Sequence, residues 1–84
     1  MEETQIGKVT HYFSRINVAI IALTDSLKIG DTIHVKGHSE DFKQPIDSMQ
    51  IEHEQVEGAK KGDAIGLKVK DKVREGDEVY KVIE

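Results

Sequence analysis

One short pattern, used three times, constrains this chain more than anything else in it. Leu27-Lys28-Ile29-Gly30-Asp31-Thr32-Ile33 reads as apolar, basic, any, Gly, Asp, any, apolar, and Ala59 to Ile65 and Val73 to Val79 repeat it. The glycine supplies the positive φ that the third position of a type II turn requires. The aspartate bonds nearby backbone and fixes the entry of the next strand. The apolar residues at either end anchor the turn to a core and begin an inward face. Turns of this kind separate short strands, so the pattern predicts a barrel or sandwich.

The stretches between the turns agree. Ile6 to Phe13 alternates with Val9, His11 and Phe13 on one side. Ile16 to Leu23 puts Ile16, Val18, Ile20 and Ala22 on one face, with Ile21 and Leu23 on the other, which predicts a buried strand or a bulge near Ile20. Thr32 to Lys36 alternates with Ile33 and Val35 inward and Thr32, His34 and Lys36 outward. Phe42 to Val56 changes parity between Ile46 and Met49, and Pro45 marks it as an edge or a bulge. Ala64 to Lys70 and Glu78 to Ile83 complete the strands, and Val56 to Lys61 has room for a single helical turn. A chain of 84 residues is one domain. At this size closing the sheet removes exposed edges most simply, so the expected fold is all-β, a small closed antiparallel β-barrel over residues 5–84 after a polar tail at 1–4.

Composition excludes several roles. There is no cysteine, which rules out disulfides and thiolate chemistry and fits a cytoplasmic address. Met1-Glu2-Glu3-Thr4 is too acidic for a secretory signal, and the longest apolar run, Val18 to Leu23, is too short to span a membrane. A net charge of −4 argues against a dedicated nucleic-acid binder, but charge is unevenly spread. Glu40 to Glu57 is acidic and Lys68 to Arg74 basic, giving a negative side and a small positive stripe.

The ordered motifs resemble a known family. Ile6-Gly7-Lys8-Val9, Leu27 to Gly37, Ile46-Asp47-Ser48-Met49-Gln50, Ala59 to Leu67 and Arg74-Glu75-Gly76-Asp77 together resemble domain two of translational GTPases such as elongation factor Tu. That resemblance implies a six- to seven-stranded barrel and a non-catalytic translation-factor-like module contacting RNA, tRNA or the ribosome. The chain has neither a Gly-rich Lys-Ser/Thr phosphate loop nor an Asn-Lys-x-Asp motif, so no nucleotide binding is expected of it. It departs from that family in the first hairpin, where Tyr12-Phe13-Ser14-Arg15 stands in place of glycines. It also resembles the barrel found as the C-terminal domain of collagenase-like peptidase-family proteins, which implies a protein-interaction accessory role.

Two groups of residues are candidate contacts. Lys68, Lys70, Lys72 and Arg74 fall at every second position, which on a strand sets them on one face, either as phosphate contacts to RNA or as a solvated edge. Tyr12, Phe13 and Arg15 sit where the first hairpin turns, suited to stacking on bases or to a protein partner. His11, His34, His38 and His53 lack ligand spacing, the serines lack a nucleophile elbow, and the acidic segment lacks a calcium loop. The sequence therefore predicts no catalytic residue, metal or cofactor, and a monomer.

Overall fold

The computed structural model describes residues 2–38 and 41–83. Met1, Ser39, Glu40 at the head of the acidic run, and Glu84 lie outside the described residues.

The three Gly-Asp turns form alike. Gly30, Gly62 and Gly76 have φ of 97°, 96° and 93°. In each turn the aspartate amide donates to the carbonyl of the basic residue three places earlier, at 3.1, 3.0 and 3.1 Å. Its carboxylate accepts that same residue's N–H at 3.0 Å in all three, from Lys28, Lys60 and Arg74. Each turn then docks on one buried residue of another segment: Ile46, Leu23 or Val9.

The described residues form ten strands: β1 (Glu2–Phe13), β2 (Val18–Leu23), β3 (Leu27–Lys28), β4 (Thr32–Lys36), β5 (Asp41–Pro45), β6 (Met49–Ile51), β7 (Glu54–Val56), β8 (Gly58–Ala59), β9 (Ala64–Lys68) and β10 (Glu78–Ile83). All pairings are antiparallel. Eight strands run in the order β5-β4-β10-β1-β2-β9-β6-β7, and β3 pairs with β8 in a small second sheet. The architecture is all-β, as expected, but other expectations fail. Among the described residues there are more strands than six or seven, and no ladder joins the edges β5 and β7, so closure into a barrel is not borne out. Residues 2–4 are not a tail: Glu2, Glu3 and Thr4 pair with Ile83, Val82 and Lys81. The stretch after Val56 forms β8 rather than a helical turn.

The reason the sheet stays open lies at Pro45. It ends edge strand β5 and has no N–H to donate, and the chain next joins β9 only at Gln50 opposite Gly66. Between these points the seam is spanned by a side chain. Gln44 Nε2 donates to the Lys68 carbonyl at 3.0 Å, and Gln44 Oε1 accepts the Lys70 N–H at 2.9 Å. Gln44 is buried, and both ends of its amide are satisfied.

The core gathers Ile6, Val9, Ile21, Leu27, Ile33, Ile46, Met49, Ile65, Leu67, Val69, Val73 and Val79. Two bulges in β1 decide which side chains join it. The register shifts against β10 between Gln5 and Gly7, burying both Ile6 and Gly7. It shifts against β2 between Val9 and His11. That second bulge, at Thr10, reverses the alternation. Tyr12 therefore packs against the core, while His11 and Phe13 face out, contrary to the expected Val9-His11-Phe13 face. The bulge expected near Ile20 lies on the partner strand opposite it. In β2 the buried set is Ala19, Ile21 and Leu23, the reverse of the expected face, and Ile16 is left in the turn.

Candidate interaction site

The first hairpin carries the most exposed apolar surface. Asn17, at φ 56°, turns the chain, and the Tyr12 hydroxyl donates to its Oδ1 at 3.1 Å. Asparagine tolerates this left-handed conformation, which is why the turn needs no glycine. Cross-strand registry lines up Phe13, Val18 and Lys68 on β1, β2 and β9, and His11, Ile20 and Gly66 in the next outward row. Directly opposed residues of antiparallel strands share a face. Gly66 has no side chain there, and Ile20 Cδ1 and Val18 Cγ1 lie 3.6 and 3.7 Å from where its Cβ would stand. Phe13 is 44% and Ile16 59% exposed. The Phe13 ring lies 4.8 Å from the His11 ring, and His11 Nδ1 is 3.4 Å from a Glu75 carboxylate oxygen. The result is an apolar strip of Phe13, Val18 and Ile20 beside His11 and Lys68, with Ile16 and Arg15 exposed in the adjoining turn.

The predicted contacts therefore separate. Phe13 and Lys68 stand in one cross-strand row of this surface, Arg15 is exposed in the turn beside it, and Tyr12 packs on the core side. The four bases do not share a strand face, because β9 ends at Lys68 and the chain from Val69 to Asp77 belongs to no strand. Lys70 lies at the seam with Gln44, and Lys72 is exposed in the irregular segment that follows. Arg74 opens the third turn and lines a recess with Lys36, Gly37 and His38.

A polar cluster that sequence reasoning missed covers the outer face of β1, β10, β4 and β5. His34 stands on the outward side of β4 as expected, yet is only 8% exposed. Its Nδ1 lies 2.8 and 3.0 Å from the Glu3 carboxylate oxygens, and its Nε2 contacts Asp41. Each ring nitrogen thus has its own carboxylate partner. These bonds from His34 hold the carboxyls of Glu3 and Asp41 below their ordinary values, with Lys36 adding to the effect. Lys36 Nζ is 3.5 Å from Glu3 and 4.8 Å from the centre of the Tyr80 ring. The Tyr80 hydroxyl donates to Glu78 at 2.9 Å, which pushes its pKa up. The two nitrogens of His34 point at separate carboxylates, so these groups do not converge on one point. No cluster of three or more His, Cys, Asp or Glu able to hold a metal occurs among the described residues. The cluster is an ionic strap across four strands. No local pattern announces it, because Glu3, His34 and Asp41 meet only through strand order.

Fold and surface together define a small antiparallel all-β domain whose turns are fixed by structure and whose outer face offers an apolar strip. Comparison with known proteins places that description. The chain is 46% identical over 77 residues to an uncharacterized protease of Methanocaldococcus jannaschii, covering 90% of this chain and 19% of that protein. It is 37% identical over 82 residues to a collagenase of Porphyromonas gingivalis, covering 95% of this chain and 23% of that one. It thus spans about a fifth of the length of these relatives. In fold it is similar to the C-terminal domain of a Geobacillus thermoleovorans protein designated a U32 peptidase, with a TM-score of 0.88 and 21% identity over 94% of this chain and 92% of that one. The selenomethionine form of the same domain gives 0.86 and 20%. No protein-family model matches the chain.

These findings overturn the resemblance to domain two of translational GTPases, and the RNA-binding reading that rested on it. The second resemblance holds: the chain is similar to the C-terminal domain of collagenase-like peptidase-family proteins. Gly-Asp turns between short strands are a general device of small β domains, which is why they pointed equally well to the wrong family. No helix among the described residues is long and apolar enough to cross a membrane.

Proposed function

We propose that this chain is a non-catalytic accessory domain that docks on a peptidase-like unit through the outer face of its first hairpin. The observation that carries this is the exposed pair Phe13 and Ile16 beside half-buried Val18 and Ile20, with Lys68 in the same cross-strand row and Arg15 exposed in the turn. Aromatic and aliphatic centres with polar rims are the anatomy of protein interfaces. The relatives support the choice of partner, since proteins named protease and collagenase carry a segment like this one as 19% and 23% of their length.

The test uses the Methanocaldococcus jannaschii relative with its matching segment removed. Mixed with this chain, it is expected to co-elute in size-exclusion chromatography. A chain carrying Phe13→Ser and Ile16→Ser is expected to elute alone while keeping its folded circular dichroism. Separate elution of the unaltered chain, or co-elution of both forms, would sink the reading.

A further inference from the structure

The seam between β5 and β9 makes an unusual use of a side chain. Gln44 presents a carboxamide to the strand backbone, donating to Lys68 and accepting from Lys70. A residue of an extended chain added parallel to this backbone makes the same pair of bonds, donating to one carbonyl and accepting from the N–H two residues on. The Gln44 side chain thus holds the place of a strand along Lys68-Val69-Lys70. Beside it the chain from Pro45 to Ser48 stands off from β9 and leaves a recess of about 380 Å³, lined by Gln44, Pro45, Asp47, Ser48, Leu67, Lys68, Val69 and Lys70. Its walls are apolar at Pro45, Leu67 and Val69. Among its lining residues the charged ones are Lys68 and Lys70 against the single carboxylate of Asp47. It is also continuous with the hairpin strip, because Lys68 stands in one cross-strand row with Val18 and Phe13.

We propose that this seam is a strand-addition site for an extended acidic segment of the polypeptide partner. The segment's backbone bonds along β9 in the place of the Gln44 amide, one of its apolar side chains enters the recess, and its carboxylates meet Lys68 and Lys70. Main-chain pairing supplies affinity in such sites, and side chains at alternate positions supply selectivity. The inference rests on the polypeptide-docking role proposed above, and names the chemistry of what is docked and where.

The experiment is nuclear magnetic resonance titration of the full chain with a short N-acetylated, C-amidated peptide of alternating valine and glutamate. The same peptide with lysine for glutamate is the control. The expected result is saturable shifts of the Lys68 and Lys70 amides and of the Gln44 side-chain amide, with the lysine peptide at least about tenfold weaker. The variant Lys68→Glu with Lys70→Glu alters only exposed side chains, so it keeps the fold while reversing the preference between the two peptides. Gln44→Asn shortens the amide's reach and is expected to tighten acidic-peptide binding by freeing the backbone it occupies. Absence of shifts at the seam overturns the proposal, as does equal response to both peptides. Shifts confined to residues 11–20 also overturn it, while leaving the hairpin docking role standing.

Discussion

Val9 donates its amide N–H to the carbonyl of Asp77 at 2.9 Å, and its own carbonyl accepts the N–H of Gly76 at 2.7 Å. The same reciprocal clamp holds Leu23 to Asp63 and Gly62 at 2.9 and 3.0 Å, and Ile46 to Asp31 and Gly30 at 2.8 and 3.0 Å. Each Gly-Asp pair thus turns its backbone outward to grip a buried residue, while the aspartate carboxylate closes the turn from within. The repeat is a structural device used at three places around one core.

The three aspartates should differ in worth by their burial. Asp77 is buried, whereas Asp31 and Asp63 are half-buried. Replacing each by alanine removes one carboxylate bond to backbone, and at Asp77 leaves the Arg74 N–H less able to find water. The expected losses are about 1 kcal/mol for Asp31→Ala and Asp63→Ala, and about 2 kcal/mol or more for Asp77→Ala, read from urea unfolding midpoints.

The glycines separate conformational cost from steric cost. A Cβ at Gly30, Gly62 or Gly76 would meet nothing within 4 Å, so alanine there suffers only from the positive φ, about 1–2 kcal/mol. A Cβ at Gly7 would lie 2.5 Å from the Ala22 carbonyl oxygen and 2.9 Å from Ile21 Cγ2. Gly7→Ala must move backbone, and is expected to cost more than any of the three turn substitutions.

The hairpin between β6 and β7 turns at Glu52 and His53, at φ 51° and 68°. Two successive positive values describe a turn that asparagine and glycine fill without strain. Glu52→Asn with His53→Gly should raise stability by about 1 kcal/mol, seen as a higher melting temperature with an unchanged spectrum. A lower melting temperature would mean that the side chains at the tip contribute contacts outweighing their strain.

The strap at His34 predicts a pH dependence with a definite sign. Glu3 and Asp41 have carboxyl pKa values lowered by folding, so their contribution is fully present above the unfolded carboxylate range. It is lost as pH falls through their folded values. Urea midpoints of the chain should therefore fall on acidification below the ordinary carboxylate range, and fall less steeply in His34→Gln. Parallel curves for the two proteins would show that the strap makes no contribution to stability.

Much of the fold was legible in local pattern. The turn sequences named their own geometry, and the inward positions of β4 and β9 followed from alternation at Ile33, Val35, Ile65 and Leu67. What escaped depended on neighbours far along the chain. The bulge at Thr10 exchanged the roles of Tyr12 and Phe13, and nothing between Lys8 and Phe13 signals it. Glu52 and His53 turn a hairpin without the usual glycine. His34 reads as an ordinary outward residue until strand order sets Glu3 and Asp41 against it, and no local pattern points from Gln44 to the Lys68–Lys70 backbone. Among the candidate contacts, Phe13 and Lys68 share a cross-strand row, whereas the end of β9 at Lys68 leaves Lys70, Lys72 and Arg74 outside that strand.

The docking role of the first hairpin stands or falls on one comparison. Isothermal titration of this chain into the Methanocaldococcus jannaschii relative lacking its matching segment should give saturable binding, weakened at least about tenfold by Phe13→Ser with Ile16→Ser. The same dissociation constant for both forms, or no heat from either, would contradict it.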